Sequence, residues 1–146
     1  GRPLTDPVDG VEDARRVQET CGDLVAFIRS LPFVYETEHY IFVHAGLDLT
    51  LPDWHETTDY QKVWIRQPFH EATNQTGKTI VFGHTPVHYL LDQKIGTKKL
   101  WVTEDGKIGM DGGAVYGGVL HGILFDESGM KADVALLNGG FAAIDD

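Results

Sequence analysis

The sequence predicts an α/β fold of the α+β kind, a mixed sheet with helix cover. Three observations predict it: one long run has helical periodicity, several short apolar runs of strand length end in Gly, Asp or Pro, and the C-terminal half is rich in such runs. A length of 146 residues suits one domain with a real core, so residues 1–146 are read as a single domain.

The elements follow in order. Residues 1–10, GRPLTDPVDG, read as an irregular arm because Pro, Gly and Asp dominate them. From Val11 the apolar residues Ala14, Val17, Cys21, Leu24, Val25 and Ile28 recur at steps of three and four, which predicts a helix with one apolar stripe. Gly22 weakens its middle and Pro32 stops it. FVYETEHYIFVHAG predicts two strands around Thr37-Glu38, the second over Tyr40–Val43. A loop follows through LDLTLPDWHETTD, then a helical turn in YQKVWIRQPF that closes before Pro68. After the ATNQTGK loop comes a strand at Thr79–Phe82. KKLWVTEDGKIGMDGG predicts a hairpin turning at Glu104-Asp105-Gly106. Two further strands flank Ser128-Gly129.

Composition excludes some functions. The formal net charge is −10, from 22 acids against 12 bases. Such a surface repels phosphate backbones and anionic membranes, so neither nucleic acid nor membrane is expected as a partner. Anionic substrates would need positive charge concentrated locally, and bound metal ions are one way to supply it. No run is long and apolar enough to span a membrane. Cys21 stands alone, so no disulfide forms within the chain, which favours a reducing, cytoplasmic location. The chain starts neither with Met nor as a signal peptide does, and the expectation is an excised or processed piece.

Two stretches share one design. IFVHAG ends an apolar strand on His44, and IVFGHT ends another on His84. Each delivers an imidazole beside a glycine, which lets the backbone turn and leaves room near the ring. Neutral imidazole is a good ligand for zinc, iron or manganese, and a strand end is a stiff mount. Pro86 is expected to turn the chain away and leave the second ring accessible. A single strand-end histidine is ordinarily a hydrogen-bonded structural residue. The matched pair raises a shared ligand role beside that reading, and periodicity alone leaves both open.

Four ordered motifs go further: VHAGLDL, VWIRQPF, IVFGHTPV and MDGGAVYGGVLHGILFD. Together they resemble the C-terminal half of a calcineurin-like metallophosphoesterase, more narrowly a bacterial-type Ser/Thr protein phosphatase, over roughly residues 32–126. The resemblance implies a metallophosphoesterase-type β-sandwich flanked by helices, of which this chain is the C-terminal part. It implies two divalent metal ions, of manganese, iron or zinc, in the complete domain, with His44 and His84 as ligands of one. It implies that Arg66 holds the substrate phosphate and that Tyr116 approaches the substrate pocket. The expected reaction is hydrolysis of phosphoserine or phosphothreonine by a hydroxide held between the two metals. The substrate is then a phosphoprotein or a small phosphoester. Symmetrical dinucleoside tetraphosphate hydrolysis uses the same ligands and is the alternative; Pro86 stands where other branches place a further histidine. The alternative of another class is a non-catalytic binding module or inactive remnant.

The departures matter as much. The family's upstream motifs, Gly-Asp-x-His, Gly-Asp-x-x-Asp-Arg-Gly and Gly-Asn-His, are absent, and CGDLVAF and MDGG do not replace them. An N-terminal half upstream or on another chain is therefore expected as a partner. Asp111-Gly112-Gly113 departs from the related Asp-Thr-Gly-Ala and reads as a turn. His39, His55, His70, His88 and His121 read as surface or structural, Trp54, Trp64 and Trp101 as packing residues, and Asp48 and Asp53 as solvated loop acids.

Overall fold

The structure is a computed structural model that describes residues 10–137 and 140–143. The chain divides into two compact units, Gly1–Pro32 and Phe33–Asp146. In the first, helix α1 runs over Gly10–Ser30. Its continuity breaks at Cys21, whose φ of −132° and ψ of 27° are not helical, one residue before the Gly22 that weakens the sequence pattern. Arg15 bridges Glu12 and Glu19 at helical spacings of three and four. Of the expected N-terminal arm, residues 1–9 lie outside the described residues, and Gly10 already belongs to α1.

The second unit is mixed α/β. In chain order it contains β1 (Val34–Glu36), β2 (Tyr40–Val43), α2 (Asp59–Trp64), β3 (Thr79–Phe82), α3 (Val87–Leu90), β4 (Trp101–Val102), β5 (Lys107–Gly109), β6 (Leu120–Asp126), β7 (Gly129–Leu137) and β8 (Gly140–Ala143). Five strands form one sheet in the order β1-β2-β3-β5-β4. Its three central strands are parallel, and β1 and β4 pair antiparallel at the edges. Parallel strands covered on both faces need continuous apolar runs rather than alternation. The sequence supplies them: Ile41, Val43, Ile80, Val81, Phe82 and Ile108 are all buried. Leu47, Ile65 and Phe69 complete the core from the crossover between β2 and β3.

The helix cover expected from sequence is slight in this unit: α2 has six residues and α3 four. Helix α2 starts at a capping box, with Thr58 and Gln61 exchanging side-chain to backbone bonds. The remaining strands form a separate antiparallel sheet, β6-β7-β8, of which β8 had no counterpart in the sequence reading. The two sheets meet where Phe125 packs against Tyr40 and Phe42 and the Tyr40 hydroxyl donates to the Asp126 carbonyl at 2.8 Å. Among the described residues no helix is long and apolar enough to cross a membrane.

Candidate metal and phosphate site

Parallel pairing decides which residues meet. Val43 of β2 stands opposite Phe82 of β3, so both strands finish at one edge of the sheet. His44 and Gly83-His84 come next in the two strands, and the Gly83 amide donates to the His44 carbonyl at 2.9 Å. The two imidazoles lie 5.2 Å apart, centre to centre. Strand β5 finishes at the same edge, where Met110 donates to the Phe82 carbonyl and Asp111 follows. The carboxyl ends of adjacent parallel strands are where open α/β sheets present ligand-binding groups.

His84 makes the chain turn itself. Its φ of +63° is left-handed, and the Thr85 amide donates to the Gly83 carbonyl across it at 2.6 Å. A three-residue turn of this sense is rare and strained for a residue with a side chain. Pro86, expected to redirect the chain, stands at the N-cap position of α3 and makes no side-chain capping bond. Val87 then donates to the Asp111 carbonyl at 2.7 Å and ties the segment to the end of β5.

The crossover after β2 brings the guanidinium. The Ala45 amide donates to the Lys62 carbonyl at 2.9 Å, which fastens α2 beside His44. Trp64 ends α2 and stands edge-on to His84 with ring centres 5.1 Å apart. It is 53% exposed, so it belongs to the site rim rather than to the core. Trp54 and Trp101 pack against the core as expected. Ile65 is buried and Arg66 is exposed. Among the described residues the Arg66 guanidinium has no hydrogen-bond or ion-pair partner, yet its charge acts on both His84 and His70.

Burial and neighbouring charge disfavour protonation of His84 and His70. His84 is pushed below its ordinary value by burial first, then by Arg66 and His44; Asp111 and a hydrogen bond to the Trp64 backbone oppose. His70 is pushed down by burial, then by Lys107, Arg66 and His84. Unfolded imidazoles take up protons near 6.5, and these folded rings resist doing so until the pH is lower. The unfolded state therefore binds more protons below that pH. The stabilisation is complete above about 6.5 and is lost as the pH falls. The thermal midpoint is expected to drop between about pH 7.5 and pH 5.5, and His70→Gln to flatten that limb. Thermal melts across this range decide it; an unchanged slope in the variant would refute the assignment.

Whether these residues suit a metal can be tested on the geometry. His84 Nε2 is buried and has no hydrogen-bond partner, so its lone pair is uncommitted. Two imidazoles on one ion, with metal–nitrogen bonds of about 2.0–2.1 Å at a tetrahedral angle, place their ring centres about 5 Å apart. The observed 5.2 Å agrees. The fit is partial, because among the described residues no group of three His, Cys, Asp or Glu side chains could hold a metal. Asp111 turns its carboxylate to the Gly113 amide at 2.9 Å, the turn role expected of it. Gly112 is required there, since a Cβ would lie 2.2 Å from the Val119 carbonyl oxygen.

The structure thus brings His44, His84 and Arg66 to one edge. Tyr116 is 71% exposed in a single 3₁₀ turn, and no ring contact or hydrogen bond among the described residues joins its side chain to them. Trp64 and His70 were missed as neighbours of the site. Their signal was spacing from Arg66: Trp64 lies two residues before it, and His70 donates its amide to the Arg66 carbonyl one turn later. His121, read as surface or structural, is buried with Nδ1 3.0 Å from Asp133. A separate cleft of about 450 Å³, lined in part by Asn74, Lys78, Asp105 and Glu127, lies at the opposite ends of β2 and β3. It holds none of the strand-end histidines. No family model, curated protein or solved structure matches the chain.

Proposed function

We propose that this chain carries the His44, His84 and Arg66 part of a metal-dependent phosphoesterase site, acting on phosphoserine or phosphothreonine in proteins. The observation that carries the reading is the imidazole pair 5.2 Å apart at the ends of parallel strands, with the Arg66 guanidinium, unpaired among the described residues, close enough to bias His84. His44 and His84 would hold one divalent ion, of manganese, iron or zinc. The metals supply Lewis-acid polarisation of the phosphoryl group when bound. His84 contributes a neutral ring with a free Nε2, kept so by burial and by Arg66. Arg66 offers parallel N–H donors that fork onto two phosphate oxygens and hold phosphorus in line for attack. Tyr116, exposed in the turn that follows Asp111–Gly113, would meet the substrate at its periphery. The remaining ligands belong to an N-terminal half, upstream or on another chain, that completes a metallophosphoesterase-type sandwich.

The second reading is a metal- and phosphate-binding module without turnover, favoured by the lack of a third ligand among the described residues. Metal content and p-nitrophenyl phosphate turnover separate the two, measured on this chain and on any longer parent. Under the enzyme reading Arg66→Ala lowers kcat/KM in the complete protein by about 10²–10³-fold, the usual scale for removing one donor to a developing oxyanion. A change below about threefold would remove Arg66 from the site.

A further inference from the structure

We propose that Lys107 is the positioning residue for Arg66, a buried ammonium that fixes the loop from which the guanidinium reaches; this rests on the reading of Arg66 as the phosphate-holding group. Lys107 opens β5, and its side chain is 3% exposed. Its Nζ donates to the carbonyls of Ala72 at 2.6 Å, His70 at 3.2 Å and Phe69 at 3.4 Å, and lies 3.4 Å from the Asp105 carboxylate. It also stands 5.8 Å from the ring centres of Phe69 and Trp101. An ammonium has three donors, and the carbonyls of one short turn, with the Asp105 carboxylate beside them, take them all. Burying such a charge is costly unless it is fully partnered, and an apolar side chain of similar volume would fill the space without that cost. What the ammonium adds is a fixed position for the carbonyls of residues 69, 70 and 72.

That turn is the downstream support of Arg66. The His70 amide donates to the Arg66 carbonyl at 3.1 Å, and the Glu71 and Ala72 amides both donate to the Pro68 carbonyl. Upstream, Ile65 is buried and bonded to the Gln61 carbonyl at 2.8 Å. Arg66 is therefore held between two anchored points. Its guanidinium has no hydrogen-bond or ion-pair partner among the described residues, so what the fold fixes is the point from which it reaches. Lys107 ties the downstream anchor to β5, and β5 is hydrogen-bonded to the strand that ends at His84. The ammonium thus links the position of the phosphate-holding residue to that of a metal-holding one.

The test uses Lys107→Met, which keeps volume and removes the donors, and Lys107→Arg, which restores a cation with donors. In Lys107→Met, amide hydrogen exchange at His70 and Ala72 should quicken at least about tenfold relative to Ile80 and Val81 in β3. Affinity for inorganic phosphate, by calorimetry, should fall about tenfold, and this loss should vanish in an Arg66→Ala background. Zinc affinity at His44 and His84 should stay within about twofold. Lys107→Arg should recover part of the phosphate affinity. Unchanged exchange at His70 and Ala72, or losses from the two substitutions that simply add, would overturn the proposal. If Lys107→Met does not fold, Lys107→Gln carries the same two readouts. If neither this chain nor a longer parent that completes the site binds phosphate, the phosphoesterase reading fails and the role of Lys107 toward Arg66 fails with it; phosphate binding that is kept in Lys107→Met overturns the Lys107 proposal alone.

Discussion

Alanine at position 84 is expected to lower the affinity of the protein for zinc or manganese by about 100-fold or more. Changing groups that merely support a metal ligand costs about 10–100-fold, and losing a ligand should cost at least as much. The argument begins with Nε2, buried and without a hydrogen-bond partner. His70 Nε2, His88 Nδ1, His121 Nε2 and the Thr85 hydroxyl share that condition, so what distinguishes His84 is the second imidazole 5.2 Å away. Backbone strain points the same way, because His84 holds a φ of +63° that a glycine would adopt freely. His84→Gly is therefore expected to match or exceed the unmodified chain in stability by about 1 kcal/mol while losing the same affinity. A fold that gains from losing a side chain keeps it for a reason other than folding. Competition with a chromophoric chelator measures the affinity, and urea unfolding of the metal-free chain measures the stability. Equal zinc affinity in all three proteins would remove His84 from the ligand set.

Phe69→Ala is expected to destabilise the second unit by about 3–5 kcal/mol, a large share of the roughly 5–15 kcal/mol available to an ordinary domain. Phe69 is fully buried and meets Phe82 edge-to-face with ring centres 4.9 Å apart. Its ring lies over Gly46, where even a Cβ would sit 2.3 Å from Cδ1. Below it is Lys107, whose ammonium faces the ring. The cavity left by alanine would be lined by Phe82 of the sheet, Gly46 and the partnered Lys107, which have little freedom to collapse into it. Urea unfolding followed by tryptophan fluorescence gives the difference. A loss below about 1 kcal/mol would mean that the ring is not a core support.

Much of this fold is legible in the residues themselves. Apolar runs closed by turn residues located β2 and β3, and Glu104-Asp105-Gly106 and Ser128-Gly129 did turn the chain as their chemistry requires. Periodicity does not report which strands neighbour one another. The parallel order β2-β3-β5 is a long-range choice, and only it brings the two imidazoles to one edge. The matched flanks of His44 and His84 were the legible trace of that choice. Lys107 left none, because a lysine in a three-residue strand reads as a solvated edge until its carbonyl partners are known. Helix α3 was hidden by Pro86, which reads as a breaker yet stands immediately before the first turn, at the N-cap position. For β8, the tail beyond Leu137 offered too few residues for a pattern.

The interval between the two rings is inherited from the pitch of neighbouring strands, not from the long excursion that separates them in the chain. The exposed residues of that excursion can therefore be exchanged without moving one imidazole against the other, provided Leu47, Ile65 and Phe69 still fill the core. Its cargo, Trp64 and Arg66, would change while the pair stayed put. Under the proposed reading, the part that must not move and the part that meets a substrate are therefore carried by different stretches of polymer.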